Sequence, residues 1–264
     1  MSDSWRQPRR VLMAALGLLT VFYLLAPTLV IVPMSFTEAR ILSFPPEGFS
    51  LQWYGRMFTD RQWSTGLVNS AQVATLTAIL ATVLGTLASL GLNRGRFPGR
   101  SLLNGLVVTP LIVPVVIIAI GMFSLFVQWR ISGSILGLVI AHTALALPFV
   151  VVSVSASLQT MDRNLELAAA NLGADPRRTF TRITLPIILP GVLAGAIFAF
   201  VTSWDEVVVA IFLTSARFRT LPVEMWEQVR QVVDPTVAAV ATTVLLVTSV
   251  LLLLVLVIRR QRPT

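Results

Sequence analysis

The chain has 264 residues, of which 55% are hydrophobic and only 12% charged, and its mean hydropathy is +0.82. A soluble domain carries about 25% charged residues, so a water-soluble fold is excluded and an integral membrane protein is expected. All 20 basic residues behind the net charge of +8 are arginine, cysteine is absent and His142 is the single histidine, which excludes a Walker lysine, a Schiff base, a thiolate site and a multi-histidine metal site.

Six stretches reach the roughly 20 apolar residues that a spanning helix needs: 11–33, 67–92, 101–126, 135–157, 187–213 and 237–258. The first follows Arg9 and Arg10, as a signal sequence would. It is longer than the ~7–15 residues of a signal core, and no small-residue cleavage site follows, so a retained anchor is predicted. Residues 50–60, SLQWYGRMFTD, predict a short helix at the membrane surface, with Leu51, Trp53, Tyr54, Met57 and Phe58 as its apolar and aromatic members. Pro27, Pro33, Pro110, Pro114, Pro148 and Pro190 fall inside spans and predict kinks. His142, in the fourth span, reads as a packed polar residue. Gly191 and Gly195, with Ala194 and Ala196, allow close helix approach in the fifth. In LPVEMWEQVR, 221–230, Met225, Trp226 and Val229 predict a second surface helix.

Six spans place both termini on one side. That side, comprising 1–10, 93–100, 158–186 and 259–264, holds 13 arginines; 34–66, 127–134 and 214–236 hold 7. Arginine marks the cytoplasmic side, so both termini are expected there. The basic charge sets topology and implies no nucleic acid. The fold class is an all-α membrane protein, with 1–264 as a single transmembrane domain.

The longest loop on that side, 158–186, is patterned for structure. Asp162 is placed to cap a helix running through about Leu172, with Leu165, Ala168, Ala169 and Leu172 on one face. Gly173 ends it. Asp175-Pro176 reads as cap and first position of a second short helix carrying Phe180 and Ile183, with Arg178 and Arg182, and Pro186 stops it. Two short helices joined at a glycine, with an apolar ridge, form a docking device. A solvated amphipathic loop is the plainer reading of the same pattern.

The stretch LAAANLGADPRRTFTRITLP, 167–186, resembles the EAA loop of ABC importer permeases: Ala168, Ala169, Gly173, Ile183, Leu185 and Pro186 match, while Leu167 occupies the glutamate position and Glu166 stands one residue before it. FPPEGFSLQWY at 44–54, Asn69-Ser70, SWDEVVVAIFLT and TLPVEMW within 203–226 resemble the spermidine/putrescine-type permeases, specifically the second of their two permease subunits. The resemblance implies a type I ABC importer permease fold in a bacterial inner membrane. It implies ATPase coupling through Glu166, Ala168, Ala169, Gly173, Phe180, Ile183 and Pro186. It also implies a homologous partner permease, two cytosolic ATPase subunits and an external substrate-binding protein. ATP and magnesium would sit on the ATPase, with no cofactor on this chain and no enzymatic activity of its own.

Asp205 and Glu206 lie in the fifth span, about 18 residues from its start; at ~1.5 Å per residue they fall near its outer half. Carboxylates at that depth face a cavity or a partner, and a carboxylate attracts an ammonium group. Trp204 adds a cation–π surface, and Tyr23 in the first span offers another. These four residues are the candidate substrate pathway, against the alternative of an internal ion pair. A permease for another small amino compound is the neighbouring function. A proton-coupled transporter using Asp205, Glu206 and His142, or a membrane scaffold, is the more distant one.

Overall fold

The computed structural model describes residues 6–231 and 234–260; the terminal residues 1–5 and 261–264, on which part of the topology reading rests, lie outside it. Among the described residues the regular structure is helical, apart from one isolated bridge between Ser215 and Phe218. The chain forms two compact units. One gathers residues up to Asp60 with Glu227–Thr243, and the other holds Arg61–Trp226 with Val244–Thr264.

The first unit is built on α1 (Arg6–Met34), with no buried residue in its apolar stretch, and on the short α2 (Gln52–Thr59). The surface helix expected at 50–60 forms, but Trp53 and Met57 are buried while Leu51 and Phe58 remain exposed. The polar tips of Trp53 and Tyr54 are both satisfied. Trp53 Nε1 donates to the Thr37 carbonyl at 2.7 Å, and the Tyr54 hydroxyl pairs with Ser35 Oγ at 2.6 Å. Arg56 lies over the Trp53 ring and pairs with Asp234 at 2.8 Å.

The second unit centres on three mutually packed helices, α3 (Arg61–Arg94), α6 (Ile135–Thr160) and α9 (Leu185–Trp204). Close approach of α6 and α9 is written in small residues. A Cβ at Gly191 would overlap Ser157 Oγ, and one at Gly195 would lie 3.1 Å from Val150 Cα. Without a hydrophobic drive in lipid, such backbone proximity supplies the packing attraction. The apolar core below it joins Ala81, Ala146, Val150, Val154 and Ile188. A second core joins α5 (Val115–Gln128) to α6 and α10 (Val208–Leu213) through Phe126, Leu138, Leu145, Val209 and Leu213.

Among the described residues five helices are long and apolar enough to cross a membrane, or six if one bent pair counts as a span. That pair covers the span expected over 101–126, and its predicted kink is a full break. α4 (Arg100–Val108) passes through a 3₁₀ turn at Thr109–Leu111 and meets α5 at 103°. The cause is Pro114, which lacks a donor and pushes Val113 out of helical backbone. Pro27, Pro33, Pro148 and Pro190 instead sit inside continuous helices.

The fifth span also differs from 187–213: it ends at Trp204, and α10 is a separate helix. At its other end Pro186 does not stop the loop helix. α8 (Pro176–Thr179) runs through a π-turn at Phe180–Thr184 directly into α9. The wider turn relieves the clash a proline ring makes with the carbonyl four residues back.

Candidate functional site: the docking turn and the acidic break

The docking turn begins with α7 (Asn164–Asn171). Its cap position is Arg163 rather than Asp162, although the Asp162 carboxylate accepts the Asn164 N–H at 2.9 Å. The Asx turn formed by Asp162 shifts the start by one residue. Gly173 follows at φ +82°, a conformation that costs an L-residue steric energy. No atom lies within 4 Å of where its Cβ would be, so the glycine is needed for its backbone and not for space. Asp175 then caps α8, accepting the Arg178 N–H at 2.9 Å, with Pro176 at the first helical position.

The apolar residues of the turn divide into two sets. Ala169 is buried, and Phe180 and Ile183 are half-buried against the body of the unit. Leu165, Leu167, Ala168 and Leu172 face outward, Leu172 at 88% exposure. The face predicted to carry Leu165, Ala168, Ala169 and Leu172 together therefore splits: Ala169 is buried, and Leu172 lies past the helix as its C-cap. A cavity of about 300 Å³ opens between Leu90, Glu166, Ala170, Ala174, Pro176, Thr179, Phe180 and Thr184. Glu166, not Leu167, carries the charge contact: it pairs with Arg94 at 3.0 Å.

The other candidate segment is the break between α9 and α10. Glu206 folds its side chain over the start of α10 and accepts the N–H groups of Val209 and Ala210, both at 3.0 Å. A carboxylate thus replaces the carbonyls a continuous helix would use. The β-branched run Val207-Val208-Val209 favours the interruption. Behind it His142 is buried at 1% exposure, with Nδ1 2.8 Å from Ser203 Oγ and Nε2 3.7 Å from Glu206 Oε2. His142 is the packed polar residue the sequence indicates.

Asp205 is placed very differently. It caps the C-terminal end of the 20-residue α9, where exposed carbonyls make an anion unfavourable. Its side chain is exposed, and among the described residues its two oxygens accept only the Thr248 hydroxyl of α12 (Thr236–Arg260), both at 3.3 Å. Trp204 is buried, its ring stacked on Phe200 at 5.7 Å, so one aromatic face is already covered. Tyr23 belongs to the other unit, on α1, and is 76% exposed. Within its own unit the structure joins Trp204, Asp205 and Glu206 with His142 and Ser203.

Sequence reasoning missed Thr248, Ser203 and Arg94 as partners, and it missed the buried Glu224. That carboxylate accepts Gln62 Nε2 at 2.6 Å and lies 3.7 Å from Arg219. Nearby, Asn69 donates to the Arg219 carbonyl and Ser70 Oγ accepts the Leu221 N–H, both at 2.8 Å. Asn69 and Ser70 thus clamp the segment leading into α11 (Leu221–Gln231), where Trp226 and Val229 are exposed and Met225 is half-buried. Two polar residues inside an apolar span were the available signal.

Comparison with known proteins fits this arrangement. The profile of the binding-protein-dependent transport system inner membrane component family matches residues 81–263. The chain belongs to this family. It is 34% identical over 244 residues to the putrescine transport system permease protein PotI of Escherichia coli, covering 90% of this chain and 85% of that one. It is 33% identical over 221 residues to the spermidine/putrescine permease PotC of Haemophilus influenzae, covering 83% and 85%. A bacterial ABC transporter that imports alginate shares the fold at a TM-score of 0.72 and 14% identity, over 99% of both chains. The same fold recurs, at a TM-score of 0.70 and 17% identity, in an alginate ABC transporter complexed with its loaded periplasmic protein. The chain is an ABC importer permease of the PotI/PotC type.

Proposed function

We propose that this permease carries polyamines inward, and that Asp205 is the carboxylate that meets their ammonium groups. The observation behind this is the unequal placement of two adjacent acids. Glu206 is occupied by two backbone donors, whereas Asp205 is exposed, loosely held and set at a helix end that disfavours an anion. A passing cation compensates that charge. Relatives named for putrescine and spermidine transport support the same solute class.

In this reading six spans cross a bacterial inner membrane, the bent pair counting as one, with both termini cytoplasmic. The docking turn then faces the cytosol and engages a separate ATPase, where ATP and magnesium bind. A related partner permease supplies the other half of the pathway, and an external binding protein delivers the solute. Nucleotide binding biases the complex between outward- and inward-open states. Glu166, Ala168, Ala169, Gly173, Phe180, Ile183 and Pro186 serve coupling. Trp204 and Glu206 shape the break around Asp205, and Tyr23 offers an aromatic surface on α1.

Charge selection gives the test. At an effective dielectric near 20, a unit pair at ~4 Å is worth about 4 kcal/mol before desolvation. A net loss of 1–2 kcal/mol in the rate-limiting state lowers transport by roughly an order of magnitude. Asp205→Asn keeps the shape and removes the attraction, so uptake of labelled putrescine into proteoliposomes should fall while complex yield holds. Normal uptake would overturn the assignment.

A further inference from the structure

The docking turn carries three acids, and only one of them reaches outside it. Asp162 and Asp175 each accept a backbone N–H within the turn itself. Glu166 Oε1 instead accepts Arg94 Nη2 at 3.0 Å and Thr184 Oγ1 at 2.8 Å. Arg94 is the last residue of α3, and Thr184 is the last residue of the π-turn beneath α9, buried at 3% exposure. Arg94 Nη2 also lies 3.9 Å from Met161 Sδ, just before the turn. A single carboxylate oxygen therefore ties together the end of α3, the docking turn and the foot of α9.

The pair is shielded, with side chains only 23% and 22% exposed. Salt screens such a pair less than a surface one, and removing one partner leaves an uncompensated charge. The turn cannot shift against α3 without opening this contact, nor against α9 without losing the Thr184 bond to the same oxygen. Small displacements are then shared by all three segments. The π-turn at Thr184 is a spot where a helix readily changes its winding.

We propose that Glu166, Arg94 and Thr184 form the joint that passes movement of the docking turn to α3 and α9, acting as positioning residues for coupled transport. This rests on the reading of 162–186 as the coupling turn. The joint explains why Leu167 is tolerated where the EAA pattern has glutamate: Leu167 faces outward, and the inward-reaching acid is its neighbour.

The test uses the complete transporter in proteoliposomes, with its ATPase and binding protein, and reads labelled putrescine imported per ATP hydrolysed beside ATPase co-purification. Arg94→Gln and Glu166→Gln should retain the ATPase and lower that ratio about tenfold, a size typical of coupled charged neighbours. The exchange Arg94→Glu with Glu166→Arg should recover most of the loss, and Thr184→Val should cause a smaller one. An unchanged ratio in both single variants overturns the joint. So does loss of the ATPase that the exchange fails to repair, since the pair would then only maintain the fold. Gly173→Val separates the two ideas: if it uncouples while Arg94→Gln does not, only the joint fails. If neither uncouples, the docking reading fails with it.

Discussion

The docking turn and the acidic break interrupt helices by different means, and the contrast shows which carboxylates are available for function. At the turn, Gly173 takes the positive φ, and Asp162 and Asp175 satisfy backbone donors. At the break no glycine or proline intervenes; Glu206 makes the interruption by accepting two backbone N–H groups. In both places the acids that accept backbone N–H groups are consumed by the fold. Glu166 and Asp205 are the two that are not, one tied to Arg94 and the other left exposed. A carboxylate's meaning in this protein depends on what it already accepts.

Three substitutions sharpen the contrast, beginning with the largest effect. Gly173→Val puts a β-branched residue at φ +82°, which costs on the order of 1–2 kcal/mol or more. Because nothing surrounds the new side chain, the damage is confined to the turn. ATP hydrolysis stimulated by the loaded binding protein should drop about tenfold, with a modest fall in the unfolding temperature of the isolated permease. Wild-type stimulation in this variant would break the equivalence drawn between a glycine-built turn and a docking device.

Glu206→Ala comes second. It strips both acceptors from the start of α10, and loss of a comparable cap costs about 0.5–2 kcal/mol. The expected sign is a lowered unfolding temperature for the detergent-solubilised protein, with Glu206→Gln intermediate because its amide oxygen still accepts. A variant as stable as the parent would show that the carboxylate is not what holds the break. Thr248→Val is the smallest. Its hydroxyl is 3.3 Å from each Asp205 oxygen, a weak contact worth under about 1 kcal/mol, so uptake should change by roughly twofold or less. A tenfold loss would make Thr248 a member of the site in its own right.

Much of this was legible in the sequence, and the reason is local chemistry. Gly173, Asp175 and Pro176 specify their turn through φ preferences and side-chain caps that act within three residues. Gly191 and Gly195 announced a close helix contact because small residues have few other uses in an apolar span. The break at 205–207 was hidden for the opposite reason. Its cause is one side chain bonding three and four residues ahead, and in an apolar run the same letters read as continuous helix. Pro186 misled in the other direction, since a π-turn lets the helix pass a proline. Arg94 looked like one more topogenic arginine. Its pairing with Glu166 spans 72 positions, a separation no local pattern reports.

The central claim is that Asp205, and not Glu206, presents the charge a polyamine meets. Uptake of labelled putrescine by reconstituted transporter, compared between Asp205→Asn and Glu206→Gln at matched complex yield, tests it most directly. Asp205→Asn should lose roughly an order of magnitude in transport, and Glu206→Gln should stay within about threefold of wild type. Full transport by Asp205→Asn, or an equal loss in both variants, would contradict the account.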